Sequence, residues 1–212
     1  MQVTAQEDSL ALLLEKIERA VAAGVDWIQL REKDLTGKQC SALTRKALLR
    51  VSEQSSRTPS VARIIVNGRL DAALAQQAGG IHLGEHSLRV EDAKRMLAAD
   101  HLSQTLPPGL LVGVSCHSLE AARSAVSAGA DYIFFGPIFP TPSKTAFGAP
   151  QGLDRLSEVC DSVTIPVLAI GGVTPENMPA CLSAGASGIA AIRLFQDSPD
   201  LPTTVNALRH HL

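Results

Sequence analysis

Four groups of residues have the types and spacing to act on a small anionic molecule. Arg31 and Lys33 stand two apart in QLREKD. Arginine can hold two anionic oxygens through parallel N–H bonds, and lysine adds a point charge. On an extended backbone the two side chains would face the same way. Glu32 and Asp34 are interleaved, so a solvated charge cluster is the plain alternative. Gly171 and Gly172 run into Thr174-Pro175-Glu176-Asn177. The glycines admit a close backbone approach, Thr174 can cap a helix that Pro175 begins, and the first N–H groups of that helix would face an anion. Ile192 and Arg193 close the last apolar run and are expected beside the same anion. His117, two residues past an apolar run, is the candidate for general acid–base work, with Ser115 two residues before it. A structural rim histidine is the plain alternative. The stretch Pro137 to Gly152, carrying Thr141 and Lys144, is long for a connection and suggests a loop that closes over a ligand, or simple disorder.

Other chemistry is disfavoured. His82 and His86 are four apart, but GIHLGEH reads as strand and turn rather than helix, so no metal pair is expected there. Cys40, Cys116, Cys160 and Cys181 form no CxxC pair, which argues against a zinc site or a disulfide framework and for reduced thiols. Cys116 reads as core.

The elements that would position these groups repeat along the chain. AAGVDWIQL, QAGGIHL, SAGADYIFF and SAGASGIAA each join an Ala-rich helical segment to an apolar strand through Gly24, Gly79, Gly129 or Gly185. A glycine there supplies the left-handed residue that ends a helix. Further apolar runs begin at Ala62, Leu110 and Ile165, giving seven strands that start at Val25, Ala62, Gly80, Leu110, Tyr132, Ile165 and Gly188. Helical patterns cover Leu10 to Ala23, Thr36 to Ser52, Leu70 to Ala78, Val90 to Ala98, Leu119 to Ala128, Leu153 to Cys160 and Pro175 to Ala184. Strands that read as continuous apolar runs, alternating with helices, imply a parallel sheet buried on both faces. The expectation is one α/β domain over residues 1–212, a (β/α)8 TIM barrel whose first strand is short or missing. Only Met1 to Thr4 is available for that strand, unless the protein starts further upstream. An open doubly wound sheet is the runner-up. The barrel is preferred because Gln29, Arg31, Lys33, Asn67, Ser115, His117 and Gly171 all fall at strand ends, where a barrel gathers them on one rim.

The chain has 212 residues, 45% hydrophobic and 3% aromatic, with a net charge of −2. That balance supports a substantial core and gives no basic field or stacking platform for nucleic acid. The apolar runs are strand-sized, and MQVTAQEDSL has no secretory pattern, so a cytoplasmic protein without a membrane partner is expected. A homo-oligomer is compatible with the chain.

Taken together, VDWIQLREK, IIVNGRLDAALAQQAGGIHLGE, VGVSCHSLEAA, AGADYIFFGPIFPTPSK, IPVLAIGGVTPENM and AGASGIAAI resemble the thiamine phosphate synthase/TenI family of TIM barrels, from about Leu10 to Phe195. The resemblance implies one of two activities. A synthase joins hydroxymethylpyrimidine diphosphate to thiazole phosphate and releases pyrophosphate, using Mg²⁺. A TenI-type tautomerase aromatises thiazole carboxylate phosphate by moving a proton, without a metal. Gln29, Arg31, Lys33, Asn67, Ser115, Thr141 and Lys144 match the synthase's pyrimidine and pyrophosphate contacts, and Gly171 and Gly172 match the thiazole-phosphate site of both branches. The synthase's metal-binding carboxylates are not matched. Gly68 stands where the first is expected and Ser87 where the second is, with Glu85 nearby but out of alignment. Arg193 replaces a small residue.

Hard divalent cations need oxygen donors, and carboxylates above all. The leading expectation is therefore a metal-independent, cofactor-free isomerase of the TenI type. Its substrate would be a small phosphorylated thiazole, and His117 would be its acid–base residue. The alternatives are the Mg²⁺-dependent synthase, a transferase, and a non-catalytic barrel that binds thiazole phosphate or thiamine phosphate.

Overall fold

The structure is a computed structural model that describes residues 2–55, 62–84, 87–98, 109–141 and 149–211. Helix α1 (Gln2–Ala22) leads into β1 (Trp27–Leu30), then α2 (Gly37–Ser55), β2 (Arg63–Asn67), α3 (Leu70–Ala75) and β3 (Gly80–Leu83). The chain continues through α4 (Val90–Leu97), β4 (Leu111–Cys116), α5 (Leu119–Ser127), β5 (Tyr132–Phe135) and α6 (Gly152–Ser162). It ends with β6 (Val167–Ile170), α7 (Met178–Ser183), β7 (Gly188–Ala190), α8 (Arg193–Gln196) and α9 (Leu201–Arg209). The seven strands pair in parallel and in sequence order, β1 to β7.

The eight-stranded closed barrel is corrected to a curled, TIM-like half-barrel. Among the described residues β1 pairs only with β2 and β7 only with β6. The segment considered for the first strand is helical from Gln2 onward. It extends toward the N-terminus the helix expected from Leu10, whose buried face lies further along. Leu14, Ile17 and Val21 fall at helical spacing and are buried, and they pack with Leu43, Ala47 and Val51 of α2 and with Leu30 and Ile64 of the sheet. The curl is shown by Trp27 and Tyr132. Their rings meet edge to face at 4.8 Å, although β1 and β5 are four strands apart in the sheet. A flat sheet would separate those strands by about 19 Å.

Side-chain alternation divides the sheet into two faces. Ile64, Val66, Ile81, Leu83, Val112, Cys116, Ile133, Phe135, Val167 and Ala169 are buried under the helices. Residues of the opposite parity face inward, and the register places Asn67, His82, Gly113 and Tyr132 in one row and Ser115, Phe134, Leu168 and Gly188 in the next. At the far end of the chain, Arg209 of α9 donates to the Gly24 carbonyl and pairs with Asp26 at 2.6 Å.

Three of the four helix-to-strand glycines do what the sequence suggests. Gly24, Gly129 and Gly185 have φ of +87°, +87° and +93°. At the second junction, Gln77 (φ +53°) takes the left-handed position instead. The same pair of terminal hydrogen bonds forms there, Gln77 N to Leu74 O and Ala78 N to Ala73 O. Gly79 is needed for a different reason: a Cβ there would lie 2.3 Å from Arg63 Cγ.

An L-residue in the left-handed region carries a penalty of roughly 1 kcal/mol, so Gln77→Gly is expected to stabilise the protein by about 0.5–1 kcal/mol in urea unfolding. A loss of stability would show that the Gln77 side chain contributes more than its backbone costs.

Candidate active site

The inner face carries a buried polar row. His82, on β3, is 2% exposed. Its Nδ1 lies 3.2 Å from the Tyr132 hydroxyl and its Nε2 lies 2.9 Å from Ser115 Oγ. The Phe134 ring packs on the imidazole at a centroid distance of 4.2 Å. Burial, and then the positive charge of Arg31, push the His82 pKa down from 6.5 to about 3, so the ring is neutral at physiological pH. Burial also raises the Tyr132 phenol, which keeps its proton. The Gln29 side-chain nitrogen is buried without a hydrogen-bond partner among the described residues, a donor left open beside this row.

Around the mouth, Asn67 ends β2 and is half-buried. Arg31 and Lys33 are exposed and lie past the end of β1 at Leu30, not on a strand as their spacing suggests.

The segment after β5 continues alongside β6. Ile138 N donates to Ile170 O, and Phe139 N to Gly171 O. Gly171 (φ +94°) and Gly172 (φ +68°) are required by this packing: a Cβ on either would fall within 2.7 Å of Pro137 or Phe139. Their close approach is thus to the protein's own chain.

The helix expected from Pro175 begins instead at Met178, because Thr174 to Asn177 form a turn. The Thr174 N–H is taken by Asn177 Oδ1 at 2.8 Å, so it does not face an anion. Arg193, the first residue of α8, donates to Thr141 Oγ1 at 3.4 Å and so bridges the β7 and β5 loops beside the glycines. Ile192 is 63% exposed. Lys144 and Glu85 lie outside the described residues.

His117 is exposed on the rim, and its Nδ1–H donates to the Gly136 carbonyl. It does not contact the inner row through any described hydrogen bond. Cys116 is buried, and its thiol is pushed up to about 11 by burial, which confirms a core role. Gly68 (φ +67°) and Ser87 converge as the resemblance requires: a Cβ at Gly68 would lie 3.3 Å from Ser87 Oγ. Ser87 Oγ accepts from Gly84 N. Among the described residues no group of three His, Cys, Asp or Glu could hold a metal ion.

Sequence reasoning named residues that the structure places at or just past strand ends, and it missed the buried group beneath them. His82 was weighed only as a metal ligand, and Tyr132 and Phe134 only as strand formers. The available signal was compositional. The chain's only tyrosine and Phe134, at alternate positions of β5, both pack on His82, and its only tryptophan meets that tyrosine.

The family model described as thiamine monophosphate synthase matches residues 1–195. The thiamine-phosphate synthase of Methanocella arvoryzae is 40% identical over 195 residues, covering 92% of this chain and 85% of that protein. The thiamine-phosphate synthase of Chlorobium phaeobacteroides is 40% identical over 183 residues, covering 85% of this chain and 81% of that protein. The solved thiamine phosphate pyrophosphorylase of Pyrococcus furiosus superposes with a TM-score of 0.77 at 31% identity, covering 93% of this chain and 88% of that one. These relatives overturn the expectation of a TenI-type tautomerase: whole-chain similarity runs to proteins named for the synthase reaction. With that reading goes the isomerase assignment. No helix among the described residues is long and apolar enough to cross a membrane.

The buried neutral histidine has a consequence for acid stability. Its folded pKa is depressed, so the unfolded chain binds a proton below about pH 6.5 that the folded chain refuses until about pH 3. Stability is full above that window and declines as pH falls through it, by up to about 1.4 kcal/mol per pH unit. In urea unfolding, His82→Gln is expected to flatten the decline between about pH 6.5 and pH 4.5, above the range where carboxylates titrate. Equal slopes for both proteins would contradict the assigned burial.

Proposed function

The chain belongs to the thiamine monophosphate synthase family, and on that premise we propose that it joins hydroxymethylpyrimidine diphosphate to thiazole phosphate. The C–O bond to the diphosphate breaks, the thiazole nitrogen forms the new C–N bond to the pyrimidine methylene carbon, and pyrophosphate leaves. The observation that carries this reading is the buried polar and aromatic group of His82, Ser115, Tyr132 and Phe134 on the inner face of the sheet, with Asn67 at the end of β2 and the cations Arg31 and Arg193 just beyond the ends of β1 and β7.

In this reading the pyrimidine ring lies on the inner face against Phe134, with Ser115, Gln29 and Asn67 as its polar contacts. The unpartnered Gln29 amide supports this, since a ligand acceptor there would satisfy a buried donor. Arg31 and Lys33 lie where the diphosphate would project and offset the charge that builds on it as it leaves. Lys144 and Thr141 belong to the same set by the resemblance. Gly171 and Gly172 hold the thiazole phosphate at the opposite rim, and the Arg193 guanidinium adds a charge-assisted contact there. Exposed Ile192 supplies an apolar edge beside it. Holding both reactants in one orientation lowers the barrier by making the attack intramolecular in effect.

Magnesium, which the resemblance attaches to this chemistry, does not fit the described residues. Gly68 offers no side-chain donor and Ser87 offers a hydroxyl already engaged by Gly84, so no step is assigned to a metal ion.

Incubating the purified protein with both substrates, with and without Mg²⁺, and measuring thiamine phosphate tests the reading. Product in either condition is expected, and none in both would overturn it. Arg193→Ala is expected to raise KM for thiazole phosphate about tenfold, the loss of one charge-assisted contact, and to leave KM for the pyrimidine diphosphate unchanged. Arg31→Ala is expected to do the reverse.

A further inference from the structure

The Ser115–His82–Tyr132 chain has the outward form of a nucleophile, a base and an orienting group, yet its end residue points to the opposite behaviour. In a nucleophile–base pair, the histidine's far nitrogen carries a proton and a third group accepts it, leaving the near nitrogen bare to take the nucleophile's proton. Here the third group is a phenol. Tyr132 is 1% exposed and its hydroxyl has one described hydrogen-bond partner, His82 Nδ1. A buried phenol that keeps its proton must place it, and Nδ1 is the acceptor in reach.

We propose that Tyr132 donates to His82 Nδ1 and thereby fixes the proton of His82 on Nε2, so that His82 donates to Ser115 and Ser115 is left to donate to the bound substrate. His82 and Tyr132 are then positioning residues for the Ser115 contact, and His82 is not a base for Ser115. The proposal rests on the reading above only in taking Ser115 to touch the substrate.

The reverse polarity would have Nδ1–H donate to the phenol oxygen, and the buried Tyr132 proton would be left without an acceptor. The doubly protonated ring is excluded at neutral pH by burial and by the charge of Arg31. The packing holds the arrangement in place. Phe134 covers the imidazole at an interplanar angle of 30°, and Trp27 meets Tyr132 edge to face. The Tyr132 ring lies over Gly113, where a Cβ would fall 2.0 Å from its carbon atoms. A side chain at Gly113 would therefore displace the phenol from His82. A donating Ser115 suits an acceptor such as a ring nitrogen of the aminopyrimidine, and it disfavours covalent attack by the serine.

Two measurements test this. In protein labelled with ¹⁵N-histidine, long-range ¹H–¹⁵N spectra of the ligand-free wild type should show His82 with a bare Nδ1 and a protonated Nε2 at neutral pH. His82→Gln serves to assign the signals. The opposite tautomer, or a charged ring, overturns the proposal whatever reaction the protein performs, so its failure is distinct from failure of the synthase reading. In the coupling assay, His82→Leu should lower kcat/KM about tenfold, the loss of one oriented hydrogen bond. His82→Gln should recover most of that loss, because an amide can accept from Tyr132 and donate to Ser115 in the same direction. Equal loss in both variants would mean that the histidine acts as a base, and no loss in His82→Leu that it only fills space.

Discussion

The register between β3, β4 and β5 is the constraint on which the rest of this molecule depends. It sets His82 opposite Gly113, and Gly113 opposite Tyr132, so that a large phenol can lie over a residue with no side chain and reach the imidazole. Ser115, one inward position further along β4, then meets the other ring nitrogen. A slip of one residue would exchange the faces, sending the polar row under the helices and the apolar row into the mouth. Few other arrangements let a curled sheet bury a histidine with both nitrogens satisfied.

Under the proposed function, that buried row lets one surface serve two anionic reactants. The floor is neutral and oriented, with an imidazole held uncharged and a phenol held protonated. The charge is confined to the rim, with Arg31 and Lys33 on the β1 side and Arg193 on the β7 side. Under the proposed function, neutral groups on the floor select a flat heterocycle by hydrogen-bond direction, while cations at opposite edges take up the phosphate groups. Stiffness on the second side comes from the Pro137–Phe139 segment, which adds hydrogen bonds to the end of β6 and packs on Gly171 and Gly172.

Much of this was legible in the sequence, and the failures have physical causes. Four helix–glycine–strand junctions and three further apolar runs gave all seven strands within about two residues of their observed starts. Gly79 misled because a left-handed residue and a close-contact residue look alike when both are glycine, and here Gln77 has the first role. The N-terminal strand was sought because a barrel needs eight, while residues 2–4 continue the helix that was expected to begin only at Leu10. His82 stayed hidden because a histidine in an apolar strand shows its partners only once the register is known. The tautomerase expectation took two missing carboxylates as decisive. They describe what the site lacks at Gly68 and Ser87, and not which reaction the remaining residues perform.

The most direct test of the central claim, that the inner face between β2 and β6 is where the two heterocycles are joined, is a crystal structure of the protein with thiamine phosphate. The account predicts the pyrimidine ring against Phe134, a ring nitrogen within hydrogen-bonding distance of Ser115 Oγ, and the phosphate between Gly172 and Arg193. Thiamine phosphate bound on the outer, helical surface, or with its pyrimidine ring out of reach of Ser115, would contradict it.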